Sequence, residues 1–426
     1  MIFRNRLPSI PVGICIAIFG AEFVIGASTH AADYGSGESR SPQFSQLDEA
    51  KVRAAGIRKL EIRRLVLYTD LPPAPDVDEL PKVFDQAFEL WCKYFAIDAA
   101  QHADWKMRAS LIDDPARFIA AGLIPPDLPK FFNGYTRGHE CWLNNQTSSY
   151  YRRHLLLHEG VHGIMFTLLG DHAPPWYIEG MAELLGTHHW QDGKLELPYF
   201  PKSRDEVPKL GRIDIVQKDF EQHHAKSLTD VMAYDNQAHL KVEPYGWSWA
   251  ACAFLNGHPR YRDRFQHLLP LLKSTDDFNT KLVEAYGNDF NRLAEEWQVF
   301  VADLDYDYDF DRTAIDFASG ERLKSSPPLP LGEGRGEGVY KKGAATVTVQ
   351  ADRGWQNSGL QLEAGKACKL TATGRFQVAI DPKDHIGNSP KPWISEPGGV
   401  SIRYIHGRPL GQLLAAVRPD HSGNST

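Results

Sequence analysis

Residues 155–185 read LLLHEGVHGIMFTLLGDHAPPWYIEGMAELL, and the reading of this stretch decides the fold. Its first half contains His158-Glu159-Gly160-Val161-His162, an HExxH pattern. Residues four apart lie one turn apart on one helix face, so two imidazoles can grip one cation. Glu159 projects beside them, where it can take a proton from water held at that cation. Neutral imidazole nitrogen suits zinc, and three protein ligands leave a fourth position for water. Residues 155–157 and 164–169 are apolar on either side, which places the motif in a buried helix. Unpaired polar groups are costly there. A metal ion gives a buried His-Glu-His cluster its partner; a hydrogen-bonded core cluster is the alternative.

Working outward, the spacing predicts a helix over 150–169 with Gly170 as its stop. Pro174 and Pro175 make a rigid turn into a second helix over 177–186. Upstream, 62–69, 107–112 and 135–144 read as strands, and 80–97 as a helix. That helix repeats Leu80, Val83, Phe84, Ala87, Phe88, Trp91 and Phe95 at helical spacing. Downstream helices are expected over 247–255, 261–272, 277–286 and 289–304. The acidic, aromatic run 303–311 reads as solvated surface. Residues 324–343 are a Pro/Gly-rich linker by composition. Their GEGRGEG follows no strand and precedes no Lys-Ser/Thr pair, so a phosphate loop is not expected. Short β-prone runs at 346–349, 360–362, 368–372 and 376–380 then suggest a small all-β module over 344–426, with 398–417 supplying further strands. The fold class is α+β, with a small mixed α/β part before the motif. No internal repeat is evident.

The amino terminus reads as a secretory signal over 1–31. Arg4 and Arg6 precede a mostly apolar stretch over 10–25, and Thr29-His30-Ala31 offers a cleavage site. Glu22, Pro8 and Pro11 are imperfect for that role, and an uncleaved anchor is the alternative. Residues 32–59 read as a loose polar segment. The expected mature protein is secreted or periplasmic, without stable membrane insertion. Lys+Arg number 47 and Asp+Glu 54, so the net charge is 47 − 54 = −7. Losing Arg4, Arg6 and Glu22 with the signal gives 45 − 53 = −8. That balance argues against nucleic acid as a partner. Four cysteines remain beyond the signal, Cys92, Cys141, Cys252 and Cys368, with no CxxC pair for a cysteine zinc site. Buried thiols and disulfides both stay open.

The continuation after the motif bears on the type of site. Metzincins continue HExxHxxGxxH, whereas Met165 and Leu168 stand at the last Gly and His positions here. Instead, after sixteen intervening residues comes Glu179, in Trp176-Tyr177-Ile178-Glu179-Gly180-Met181-Ala182-Glu183. This resembles the gluzincin arrangement, and the W-x-x-E-G-x-A pattern is similar to that of aminopeptidase-N-like and peptidase MA-like proteins. The region 60–323 looks like uncharacterised exported bacterial proteins of the peptidase MA-like group. The resemblance implies a thermolysin-like helical zinc-site region in which Glu179 is the third ligand to one zinc ion beside His158 and His162. Thermolysin-like relatives place an Asp where Glu183 stands, orienting a ligand His, so Glu183 is the supporting carboxylate; an ordinary capping carboxylate is its alternative. A downstream Tyr stabilises the oxyanion in such proteins. Tyr245, in Glu243-Pro244-Tyr245-Gly246-Trp247-Ser248-Trp249, matches the Y-x-x-S-W pattern, with Tyr234 as alternative. The resemblance also implies that an edge strand over 135–145 pairs with extended peptide.

The implied activity is hydrolysis of peptide bonds in a peptide or protein substrate, with Glu159 as general base. Two other readings stand beside it: a catalytically weak or inactive binding protein on a gluzincin scaffold, and a zinc amidase acting on cell-wall or glycoprotein substrates. Among the 17 histidines, His154 is expected at the surface, although it lies one turn before His158. The doublets His188-His189 and His223-His224 have no third partner in sequence, and His172 lies in the interhelical turn. The carboxy-terminal run with Gly354-Trp355-Gln356-Asn357-Ser358-Gly359 looks like the β-sandwich of PA-IL-type galactose-binding lectins. It lacks their calcium-holding residues, so only weak glycan contact is expected of it.

Overall fold

The computed structural model describes residues 44, 46–170, 173–269, 271, 277–315, 321–322, 346–362, 365, 367–381, 391–405 and 408–417. The expected signal 1–31, the linker 324–343 and His172 lie outside the described residues. The chain divides into two compact units, one formed by Ser36–Phe310 and a second that includes Asp311–Thr426.

The first unit is mixed α/β around a central mixed sheet. Its strands are β1 (Arg58–Glu61), β2 (Leu65–Thr69), β3 (Met107–Ile112), β4 (Gly134–Arg137) and β5 (Glu140–Asn144), in the order β1-β2-β3-β5-β4. The central pairs β2·β3 and β3·β5 are parallel, and antiparallel hairpins close both sides. Side chains alternate across such a sheet, and here both faces are covered. Leu65, Leu67, Met107, Ala109, Leu111, Cys141 and Leu143 join the main core, while Val66, Tyr68, Ile112 and Trp142 join a smaller one on the other face. The helices are α1 (Glu49–Ala54), α2 (Pro75–Asp78), α3 (Leu80–Tyr94), α4 (Pro115–Ala120), α5 (Ser149–Ile164) and α6 (Pro175–Gly186). They continue with α7 (Arg212–Glu221), α8 (Leu228–Met232), α9 (Glu243–Gly257), α10 (Arg262–Gln266), α11 (Phe278–Tyr286) and α12 (Phe290–Asp303). Helices α1 and α4 supply Val52 and Phe118 to the smaller core; α3 and α5 supply Phe84, Trp91, Leu156 and Val161 to the main one.

Helix α5 runs through the protein rather than over it. Ser148 caps its start, accepting from the Tyr151 amide at 3.2 Å. Nearly every residue from Tyr150 to Ile164 is buried, charged ones included. Two glycines permit this. A Cβ on Gly160 would stand 2.6 Å from Phe84 Cε2 and Trp91 Cη2, and one on Gly163 would stand 3.0 Å from Met107 Sδ. The face of α5 opposite the histidines therefore lies directly on α3 and β3. The helix does not stay α-helical to Leu169 as the periodicity predicts; Met165–Leu169 form a π-helical turn, closed by the Gly170 amide on the Met165 carbonyl at 2.8 Å. Gly170 ends the run at φ 100°, in a region that L side chains rarely enter. Helix α6 then packs against α5 on one side and α9 on the other. A Cβ on Gly180 would lie 2.4 Å from the Ser248 carbonyl oxygen and 2.6 Å from Cys252 Sγ.

Several expectations are corrected. The strand predicted over 62–69 begins only at Leu65, because Ile62 and Leu65 close a turn (3.0 Å) after β1. Residues 135–144 are a hairpin, β4 and β5, turning at Gly138 with φ 61°. The segment 32–59 is not wholly loose: it holds α1, capped by Asp48, and the start of β1. The helix expected over 261–272 is only α10. The acidic run 303–311 is not simply solvated surface. Asp303, Leu304 and Tyr308 are buried, with Tyr308 edge-on to Phe300 at 5.1 Å, so its aromatic members outweigh its charges. A hairpin of β6 (His189–Gln191) and β7 (Lys194–Glu196), and helices α7 and α8, were not anticipated. Cys92, Cys141 and Cys252 are buried free thiols, and Cys368 is an exposed one.

In the second unit the described strands form two-stranded pairs: β8 (Glu321–Arg322) with β9 (Leu360–Gln361), β10 (Phe376–Asp381) with β11 (Lys391–Ser395), and β12 (Val400–Ile405) with β13 (Arg408–Leu410). The runs 346–349 and 368–372 carry no strand. Among the described residues of the whole chain, no helix is long and apolar enough to cross a membrane.

The close approach at Gly160 yields a stability prediction. Gly160→Ala forces a methyl group into Phe84 and Trp91, and overpacking of this kind costs about 1–3 kcal/mol. The urea midpoint of unfolding should fall accordingly. An unchanged midpoint would show that α5 has room to shift.

Candidate metal centre

The two histidines of the motif project from one face of α5 toward α6, as their spacing requires. Their Nε2 atoms stand 3.0 Å apart. Glu179, from the first half of α6, brings Oε2 to 3.3 Å from His158 Nε2 and 3.5 Å from His162 Nε2. A tetrahedral ion with bonds of about 2.0–2.2 Å spaces its ligand atoms roughly 3.3–3.6 Å apart. The two edges to Glu179 match that spacing, and the edge between the histidines is shorter. Glu179 Oε2 is buried and accepts no hydrogen bond from protein. Two nitrogens of an electron-rich type and an orphaned carboxylate oxygen, all converging, form a donor set that fits zinc. His158, His162 and Glu179 are one of two groups among the described residues that could hold a metal ion.

The second group is His154, His158 and Glu183. Glu183 lies one turn beyond Glu179 on α6. Its Oε1 stands 3.3 Å from His158 Nδ1, the nitrogen facing away from Glu179. Its Oε2 stands 3.2 Å from His154 Nε2. Arg212, the first residue of α7, donates to both oxygens, Nε to Oε2 at 2.8 Å and Nη2 to Oε1 at 2.7 Å. Burial acts to raise the Glu183 pKa, but Arg212, His154 and His158 outweigh it and hold the carboxyl well below its ordinary value. This group already contains its own cation.

His158 sits between the two carboxylates. Burial disfavours its charged form, yet Glu179 and Glu183 prevail and push its pKa up to about 10. For Glu179, burial is likewise outweighed by His162 and His158, and its pKa falls. The two shifts are one attraction seen from its two partners.

Glu159 lies beside the two histidines, on the side of the edge strand. Thr136 Oγ1, on β4, lies 2.6 Å from Glu159 Oε2 and 3.1 Å from the Glu159 carbonyl. Gly134, two residues earlier on the same strand face, leaves the carboxylate its space, since a Cβ there would stand 2.3 Å from Oε1. Burial raises the Glu159 pKa, and the two imidazoles oppose the rise. A buried carboxyl group beside two imidazoles, held by the Thr136 hydroxyl, suits proton transfer.

Tyr245, in the first turn of α9, has its ring 6.2 Å from that of His158 and beneath the Arg212 guanidinium at 5.4 Å. Burial raises the pKa of its hydroxyl, which therefore stays protonated. Tyr234, the alternative, hydrogen-bonds Glu243 at 3.1 Å instead.

Three participants were missed from sequence. Thr136 and Arg212 carry no motif. His239, in a 3-10 turn (Ala238–Leu240), has its ring 5.2 Å from Tyr245 and Nε2 3.1 Å from Ser248 Oγ. Burial lowers its pKa, keeping it neutral. The expectation for His154 is corrected: it is 1% exposed, because α5 is enclosed on all sides and one turn from His158 is still interior. His188 is also buried, accepting from Arg153 Nε at 2.9 Å and stacked on Tyr150, whereas His189 is partly exposed beside Gln191.

No family model matches this chain, and no curated protein matches it.

One prediction concerns the ion itself. Protein dialysed against zinc at neutral pH should retain one zinc per chain by elemental analysis. Glu179→Ala should weaken that binding by at least about a hundredfold, the upper range seen for changes outside the ligand set. Unchanged affinity in this variant would shift the ligand role to Glu183 or His154.

Proposed function

We propose that this chain is an exported zinc-dependent metallopeptidase of gluzincin type, hydrolysing peptide bonds in a peptide or protein substrate. The observation that carries the reading is the convergence of His158 Nε2, His162 Nε2 and Glu179 Oε2 within 3.0–3.5 Å of one another, next to the buried carboxyl group of Glu159. Two imidazole nitrogens and a carboxylate oxygen at such spacing are atoms of the types that hold a metal ion.

Zinc at these ligands supplies Lewis acidity for the scissile carbonyl and lowers the pKa of water. The chain's own residues do the rest. Glu159 accepts a proton from the attacking water and returns it to the leaving amine nitrogen. Thr136 keeps its carboxylate on the β4 side, and Gly134 leaves it room. Tyr245, protonated and beside His158, donates toward the carbonyl oxygen as negative charge develops there. Strand β4 is the outer strand of the sheet on the side of Glu159. An extended substrate would add alongside this strand, as one more strand of the sheet. The second unit, read as a β-sandwich-like module, would add at most weak glycan contact.

Glu159→Gln is the test. The variant should keep its zinc and lose hydrolysis of a mixed peptide library by about 10²–10⁴-fold. Activity that survives the substitution would remove Glu159 from the role of base. A zinc-replete wild-type protein that cleaves nothing would favour the binding-protein alternative.

A further inference from the structure

The second metal-competent group, His154, His158 and Glu183, is closed to an ion by a side chain the sequence did not single out. Both oxygens of Glu183 accept from Arg212, at 2.8 and 2.7 Å. A planar guanidinium matches a carboxylate in this two-point manner, fixing its plane as well as its charge. With that plane fixed, Oε1 faces His158 Nδ1 and Oε2 faces His154 Nε2, at 3.3 and 3.2 Å. His158 is therefore oriented from behind by a carboxylate that cannot rotate.

Arg212 itself is placed by backbone. It opens α7, just after Gly211 at φ 64°. Helix α7 approaches α9 so closely that a Cβ on Gly246 would lie 2.9 Å from Ile215 Cγ2 and 3.3 Å from the Arg212 carbonyl. The same guanidinium lies over the ring of Tyr245. One side chain thus touches the support of a ligand on α6 and an aromatic on α9.

We infer that Arg212 is a positioning residue of the metal centre: an internal cation that fills the second group, locks Glu183, and through it sets the His158 ring for a single ion. The inference rests on the metallopeptidase reading only as far as ion binding, not turnover. It assigns to α7 a part in the centre that neither the motif nor the ligand set contains.

The test is metal affinity, measured by competition with a chromophoric chelator, together with the visible spectrum of the cobalt-loaded protein. Arg212→Met should lower zinc affinity about tenfold to a hundredfold, the range for residues that orient a ligand, and alter the cobalt bands. Arg212→Lys, which keeps the charge but loses the fork, should recover only part of the affinity. Glu183→Gln combined with Arg212→Met should be no weaker than Glu183→Gln alone, because Arg212 acts through Glu183. This double variant leaves no unpaired buried charge, so it guards against misfolding of the single one. Wild-type affinity and spectrum in a folded Arg212→Met would overturn the inference while leaving the metal centre standing. A wild-type protein without stoichiometric zinc would overturn both.

Discussion

A carboxylate enclosed by protein remains an anion only beside a cation, and Glu183 meets that condition through Arg212. Much of the first unit is arranged around this pair. It joins α6 to α7, reaches α5 through His154 and His158, and lies against α9 through Tyr245. Four helices must come within side-chain reach of one point. That is possible because small residues stand where backbones meet: Gly160 against α3, Gly180 against α9, Gly186 against His154, and Gly246 against α7. Packing and electrostatics are one arrangement here, since looser helices would leave the buried charges without partners.

The layout also separates two kinds of carboxylate on neighbouring helices. Glu183 is pinned at both oxygens by a permanent cation and has no freedom to exchange protons. Glu159 has one hydroxyl donor and an environment that raises its pKa. Divergent environments for like groups are how a protein divides structural from chemical roles. The sheet contributes directly to this division, because Thr136 and Gly134 belong to its outer strand rather than to the helical region.

The sequence told this story unevenly. A short apolar run located β3 to the residue, and helical spacing located α3 and α12 nearly so, since each of these helices buries one face; α9, buried all round, begins four residues before its predicted start. The pairing of His158 with His162 was legible because helix geometry alone makes them neighbours. The juxtaposition of Glu179 needed more: the turn at Pro174-Pro175 had to fold α6 back onto α5, and nothing local encodes that return. Arg212 was invisible, being one of 47 basic residues, at the start of an ordinary amphipathic helix. Its meaning arises only when α7 docks. His154 misled for a related reason: a polar residue beside a motif suggests a solvated face, whereas α5 has none.

The π-helical turn at Met165–Leu169 has a consequence for how this chain tolerates change of length. A π turn holds one residue more than an α turn over the same arc. The surplus lies between His162 on α5 and the return to α6, so one codon lost there can be absorbed by tightening into α geometry. The same loss between His158 and His162 would swing one imidazole about a quarter turn around the helix, since each residue advances roughly 100°. Along this stretch, deletion tolerance should change abruptly at Met165.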